Sequence, residues 1–265
     1  VAIPALAIAA VARLASSATF LIVPLPSGIL GVFLVSAFLV GGTVCFLNWK
    51  FFNPAQKSVV LLTAIVALTA IWAHPISPLR MWPPSKWLLV SCDVGQGDAT
   101  VINLGNHQAI VIDTGPDAAL LDECLSELRI RTIPLLVLTH FHADHVAGID
   151  AAFHHRKVGM IRVTTLGEPA LTTNFVMRYL FGKSTIPKTM TAGEHLVIGA
   201  VDLQCLWPAE IIRGQGSDPN NSSIVLLVKI HEHTFLLAGD VEAPAQQAII
   251  KRYQLPHVEV LKVAH

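Results

Sequence analysis

Charged side chains are few in this 265-residue chain: Asp, Glu, Lys and Arg make up 14% of it, where soluble chains average about 25%. They are also unevenly placed. Almost none precedes residue 74 and an ordinary density follows residue 85, so two physical environments are joined. Lys plus Arg and Asp plus Glu balance at 18 each, which removes net charge as an argument for a polyanionic partner. The four cysteines, Cys45, Cys92, Cys124 and Cys205, show no C-x-x-C spacing. That argues against a zinc knuckle or a disulfide framework, and they are expected to be small buried apolar residues. No G-x-G-x-x-G accompanies Gly95 and Gly97, so a nucleotide-binding loop is excluded there. Internal repeats and low-complexity tracts are absent. The chain starts at Val1 and stops at His265 straight after an apolar run, and is expected to be a fragment truncated at both ends.

The charge-poor part has long apolar runs instead. Ile29 to Leu47 and Ser58 to Ala73 are uncharged, close to the roughly 20 residues that span a bilayer as a helix. Lys50 and Lys57 lie between them. A helical hairpin with its basic loop facing the cytoplasm follows, which places the rest of the chain on the extracytoplasmic side of a cell membrane. Residues 1–23 contain Pro4 and Arg13 and are expected to be a buried or interfacial helix, because Arg is costly in hydrocarbon. Pro75, Pro78, Pro83 and Pro84 make a linker that cannot continue a helix. The expected domains are residues 1–80, transmembrane or membrane-associated, and residues 86–265.

In the second domain, β-type runs at 87–93, 99–104 and 109–112 are separated by Gly-containing turns, an antiparallel start to a sheet. Residues 117–128 and 146–153 read as helices around a buried strand at 134–138. Further helices at 169–181 and 242–253 alternate with strands near 159–163, 188–191, 196–198, 201–206, 224–230, 234–237 and 258–263. The expected class is α/β: two mixed sheets with helices outside.

The buried strand runs into Thr139-His140-Phe141-His142-Ala143-Asp144-His145. Alternation along an extended chain lets His140 and His142 point the same way, while Asp144 and His145 lie where the chain turns. Imidazoles with a carboxylate suit Zn²⁺, Mn²⁺ or Fe²⁺ better than Ca²⁺ or Mg²⁺. Three more polar residues end apolar runs: Asp113, Asp240 and His265.

H-x-H-x-D-H after a strand resembles the signature of the metallo-β-lactamase superfamily. That resemblance implies an αβ/βα sandwich and two divalent metal ions, Zn²⁺ or Mn²⁺. It implies His140 and His142 on one metal, Asp144, His145 and His265 on the other, and Asp240 bridging them. Asp144 and Asp240 are then the catalytic carboxylates. Asp98, Asp113, Asn220 and Asn221 are expected to orient the ligands or contact the substrate. Asp93-Val94-Gly95-Gln96-Gly97-Asp98-Ala99, the segment Asn220-Asn221-Ser222-Ser223-Ile224-Val225 and the apolar first half are similar to the ComEC/Rec2 family of competence channel proteins. This finer resemblance implies DNA uptake, with single-stranded DNA, the membrane and other competence-machinery proteins as partners. The domain would cleave the non-imported strand by two-metal phosphodiester hydrolysis. A third histidine usual before the bridging Asp is missing: the chain reads Asp218-Pro219-Asn220-Asn221-Ser222, which gives the first metal more oxygen character and favours Mn²⁺. The competing readings are hydrolysis of a small ester, lactone or thioester, and a non-catalytic gating or docking module.

Overall fold

The computed structural model describes residues 41–43, 48–62, 83–84 and 86–264. Two compact units divide the chain, Val1–Arg80 and Met81–His265.

In the first unit a 3₁₀ turn, Trp49–Phe51, precedes a helix over residues 54–62. Asn53 and Gln56 open that helix as a reciprocal cap: each backbone N–H donates to the other's side-chain oxygen, at 2.9 and 2.8 Å. The helix expected over 1–23 and most of the uncharged runs 29–47 and 58–73 fall outside the described residues. Among the described residues no helix is long and apolar enough to cross a membrane.

The second unit is a four-layer sandwich. Its first sheet has six strands in sequential order: β1 (Leu89–Ser91), β2 (Thr100–Gly105), β3 (Gln108–Ile112), β4 (Thr132–Leu138), β5 (Lys157–Val163) and β6 (Lys188–Thr189). β1 to β3 pair antiparallel and β3 to β6 parallel. The second sheet runs β11-β10-β9-β8-β7, with β7 (His195–Ile198), β8 (Val201–Trp207), β9 (Val225–Ile230), β10 (His233–Leu237) and β11 (Val260–Lys262). Only its β10–β11 pair is parallel. The helices are α1 (Ala118–Glu127), α2 (Ala143–Val146), α3 (Ile149–Phe153), α4 (Ala170–Gly182) and α5 (Ala243–Arg252).

Strand alternation explains the layering. In β4, Leu135 and Val137 face the second sheet and join Leu203, Leu226, Val228 and Phe235, while Leu136 and Leu138 face the helices and join Leu121, Leu125 and Ile149. A strand covered on both faces has to be apolar where it is covered, as β4 is from Ile133 to Leu138. On the far side of the second sheet, Ala245 and Ile249 of α5 cover Trp207 and Val225. The αβ/βα sandwich expected from the sequence is the observed architecture.

Two expectations need correction. The helix read over 146–153 is two short helices, α2 and α3, interrupted at Gly148. A Cβ there would collide with the Thr114 carbonyl, and the Gly148 N–H donates to Gly115 at 2.9 Å, so the chain must bend to fit against the β3 end. Cys92 and Cys124 are not independent apolar residues: they form a disulfide, with Cα atoms 5.9 Å apart. Their sequence separation of 32 hid the pairing, because nothing local shows that the segment after β1 packs on α1. Cys205 is buried and free as expected, and burial pushes its thiol up to about 12.

Candidate metal centre

The parallel strands β3 and β4 end side by side, and each releases a polar residue there. Asp113 follows β3 in a left-handed conformation, φ 59°, which turns its carboxylate back across the end of β4. It accepts from the Thr139 N–H and the Thr139 hydroxyl, both at 2.7 Å, and faces His145 Nδ1 at 2.9 Å. Asp113, Thr139, His140 and His145 are all buried.

These bonds assign the ring protons. Thr139 spends its own hydrogen on Asp113, so its oxygen, 3.2 Å from His140 Nδ1, accepts from that nitrogen. Ser223 Oγ lies at the same distance from His140 Nδ1 and also accepts the Asp240 N–H at 3.2 Å. His140 Nε2 is therefore the acceptor nitrogen of that ring. The Asp113 carboxylate likewise holds the proton on His145 Nδ1 and turns Nε2 inward.

The inward atoms converge. His140 Nε2 lies 3.1 Å from His142 Nδ1 and 4.0 Å from Asp240 Oδ2. His145 Nε2 lies 3.2 Å from Asp240 Oδ2 and 4.0 Å from Asp144 Oδ2. Four-coordinate zinc with ligand distances near ~2.1 Å keeps its donors roughly 3.3 Å apart, so both close pairs have the spacing of atoms that share one ion. Burial opposes a charge on His145, but the Asp113 and Asp240 carboxylates overcome it and push its pKa up to about 10. The cluster thus draws a positive charge to itself. Its donor set fits divalent metal ions of the zinc or manganese type.

The remaining candidates are placed as follows. Asp98 is buried beside Asp113 and His145 and pairs with Lys262 of β11. Asn220 and Asn221 lie in a 3₁₀ turn before β9. Their amide nitrogens donate to Glu242 and to the Gln215 carbonyl, and both Oδ1 atoms are buried with no hydrogen-bond partner. His265 lies outside the described residues. His195, His231 and His233 sit in strand and turn positions away from the cluster, His195 bonded to Asp202. Sequence reasoning missed Ser223 and Lys262. The only signal for Lys262 was a lone cation in the apolar run Val258–Val263.

With this geometry in hand, comparison with known proteins is decisive at the level of family: the model of the metallo-beta-lactamase superfamily matches residues 92–264. The chain belongs to the metallo-β-lactamase superfamily. Among curated proteins it is similar to Uncharacterized protein YcaI of Escherichia coli K12, 29% identical over 71% of this chain and 24% of that protein. It is also similar to ComE operon protein 3 of Bacillus subtilis, 24% identical over 65% of this chain and 24% of that protein. The chain spans about a quarter of the length of these relatives. Solved structures resembling it include a metallo-β-lactamase mutant from Cronobacter sakazakii, 15% identical over 68% of this chain and 81% of that one (TM-score 0.46). Zn²⁺-bound PqqB from Methylobacterium extorquens is 11% identical over 63% and 59% (TM-score 0.44). The superfamily fold and the buried His/Asp cluster together mark a metal-dependent hydrolase.

Proposed function

We propose that this domain is a two-metal phosphodiesterase that cleaves single-stranded DNA as part of a DNA-uptake channel. The observation that carries the hydrolytic reading is the convergence of His140 Nε2, His142 Nδ1, His145 Nε2 and Asp240 Oδ2 on one space, with their outer atoms held by Thr139, Ser223 and Asp113. The substrate class rests on the resemblance of Asp93–Ala99 and Asn220–Val225 to the ComEC family, and the similarity to ComE operon protein 3 supports it.

His140 and His142 would hold one ion, Asp144, His145 and His265 the other, with Asp240 between them; bound there, such ions supply Lewis acidity and a water acidified toward neutral pH. The protein's own groups do the rest. Asp113 keeps the His145 ring in one tautomer and orientation, and the Thr139 and Ser223 hydroxyls do the same for His140. Asp144, partly exposed, would orient the attacking water and take its proton. The buried Asn220 and Asn221 oxygens stand where the sequence lacks a third histidine, and are proposed as the neutral oxygen donors that replace it. An extracytoplasmic location is supported by the Cys92–Cys124 disulfide, a bond that persists in oxidising compartments.

The experiment is incubation of the protein with end-labelled single-stranded DNA and Mn²⁺ or Zn²⁺, beside an Asp144→Ala, His145→Ala double variant. Metal-dependent shortening by the first protein alone is expected. Equal products from both proteins would refute the proposal, and turnover of a lactone or thioester without DNA cleavage would reassign the substrate.

A further inference from the structure

On the flank of His145 lies a second set of buried donors. Asp98, Asp113 and His145 each offer one atom, all within 4.8 Å of one another. Two buried carboxylates this close repel unless each is answered by a positive or donating group. Asp113 is answered by Thr139 and His145. Asp98 is answered from the other sheet: Lys262, the last residue of β11, forms an ion pair through Nζ with Asp98 Oδ2, the two side chains 22% and 10% exposed. The backbone around Asp98 is tied to the cluster as well. Its N–H donates to the Asp144 carbonyl at 3.2 Å, and its carbonyl accepts from Gly115 at 2.8 Å. A Cβ at neighbouring Gly97 (φ 128°) would collide with that same Asp144 carbonyl.

We propose that Lys262 is a positioning residue for metal binding, a built-in cation that satisfies Asp98. It keeps residues 93–98 seated on the Asp144 backbone. It also stops the trio Asp98, Asp113 and His145 from competing for the divalent ion that the neighbouring donors hold. The inference rests on the reading that His140, His142, Asp144, His145 and Asp240 bind divalent ions. Its logic is electrostatic. Removing the ammonium alone leaves a buried carboxylate uncompensated beside Asp113. That charge then recruits a divalent ion of its own or draws His145 out of place, and either outcome changes the donor set. Removing both charges restores neutrality. A residue whose task is to touch the substrate would behave differently, since deleting Asp98 as well could not repair its loss.

The test compares wild type, Lys262→Arg, Lys262→Gln and the Asp98→Asn, Lys262→Gln pair. Metal stoichiometry is read by native mass spectrometry, Mn²⁺ affinity by paramagnetic resonance titration, and folding by thermal melting. Lys262→Arg should match wild type. Lys262→Gln should bind its tightest ion about tenfold more weakly or carry an extra ion, and the pair should return to wild-type stoichiometry and affinity. Wild-type metal binding by Lys262→Gln overturns the proposal, as does a folded pair that stays defective. Should Lys262→Gln fail to fold, the pair decides alone: tight binding supports the inference and weak binding overturns it. Failure of the wild type to bind any divalent ion would instead remove the reading of the cluster, and this inference with it.

Discussion

The same parallel strands carry polar clusters at both ends, and the two clusters are built on opposite plans. Where β4 and β5 begin, Arg156 clasps α1 to the sheet. Its Nε donates to the Ile130 carbonyl at 3.1 Å, Nη1 to Asp122 Oδ1 at 2.5 Å and to the Ala151 and His154 carbonyls at 2.9 and 3.0 Å, and Nη2 to Ser126 Oγ at 2.8 Å. The guanidinium's hydrogens all have acceptors nearby within the chain. Where β3 and β4 end, His140 and His145 each engage one ring nitrogen with Thr139, Ser223 or Asp113 and turn the other toward a shared space. Saturation marks a cluster that holds the fold; ring nitrogens and a carboxylate that converge on one space, at 3.1 and 3.2 Å, mark one reserved for a metal ion. Burial differs too: Ser126 and His154 are exposed and Asp122 half-buried, whereas Asp113, Thr139, His140 and His145 are all buried.

That contrast can be broken by mutation. The largest effect is expected at the reserved end: Asp240→Ala should remove most bound metal and lower DNA hydrolysis by about a thousandfold or more, measured by metal analysis and initial rates, with the fold intact by circular dichroism. At the saturated end, Arg156→Met should lower unfolding free energy by roughly 2 kcal/mol, since it leaves several carbonyls without their donor and the half-buried Asp122 with His154 alone. Denaturant titration checks this, and metal affinity of the folded variant should not change. Asp113→Asn crosses the two classes. It keeps the shape but not the charge that holds His145 Nδ1–H, so metal affinity should fall about 10- to 100-fold with a small change in stability. The smallest effect concerns pH. Although burial opposes it, the bond and charge of Arg156 hold the Asp122 carboxyl below its usual range. A depressed folded pKa contributes stability above the unfolded value and loses it as pH falls through the folded one. Wild type and Asp122→Asn should therefore differ in melting temperature near neutral pH and converge in acid, while their metal affinities stay equal throughout.

Much of the reserved end was legible in the sequence because its polar side chains are local. His140, His142, Asp144 and His145 lie within one strand-to-helix turn, and Asp113 and Asp240 each end an apolar run. The unbroken apolar run over residues 134–138 likewise announced a buried strand. What stayed hidden depends on distant parts of the chain meeting. Ser223 reaches His140 across a separation of 83 residues, Lys262 meets Asp98 from the other sheet, and Cys92 finds Cys124 only once α1 packs beside the segment that follows β1. Gly148 reads as an ordinary helical residue until the Thr114 carbonyl is seen to fill the place of its Cβ. No pattern in Arg156 and its neighbours distinguished it from a solvated surface charge.

The left-handed backbone at Asp113 narrows the mutational paths open to this protein. A φ of 59° suits Gly, Asn and Asp and strains most other residues. A change to Ala or Glu at this position therefore bends the main chain in addition to removing or displacing the carboxylate. Asn and Gly leave the chain trace undisturbed while deleting the charge, so a lineage that loses metal binding by neutral drift at this residue should pass through one of these two.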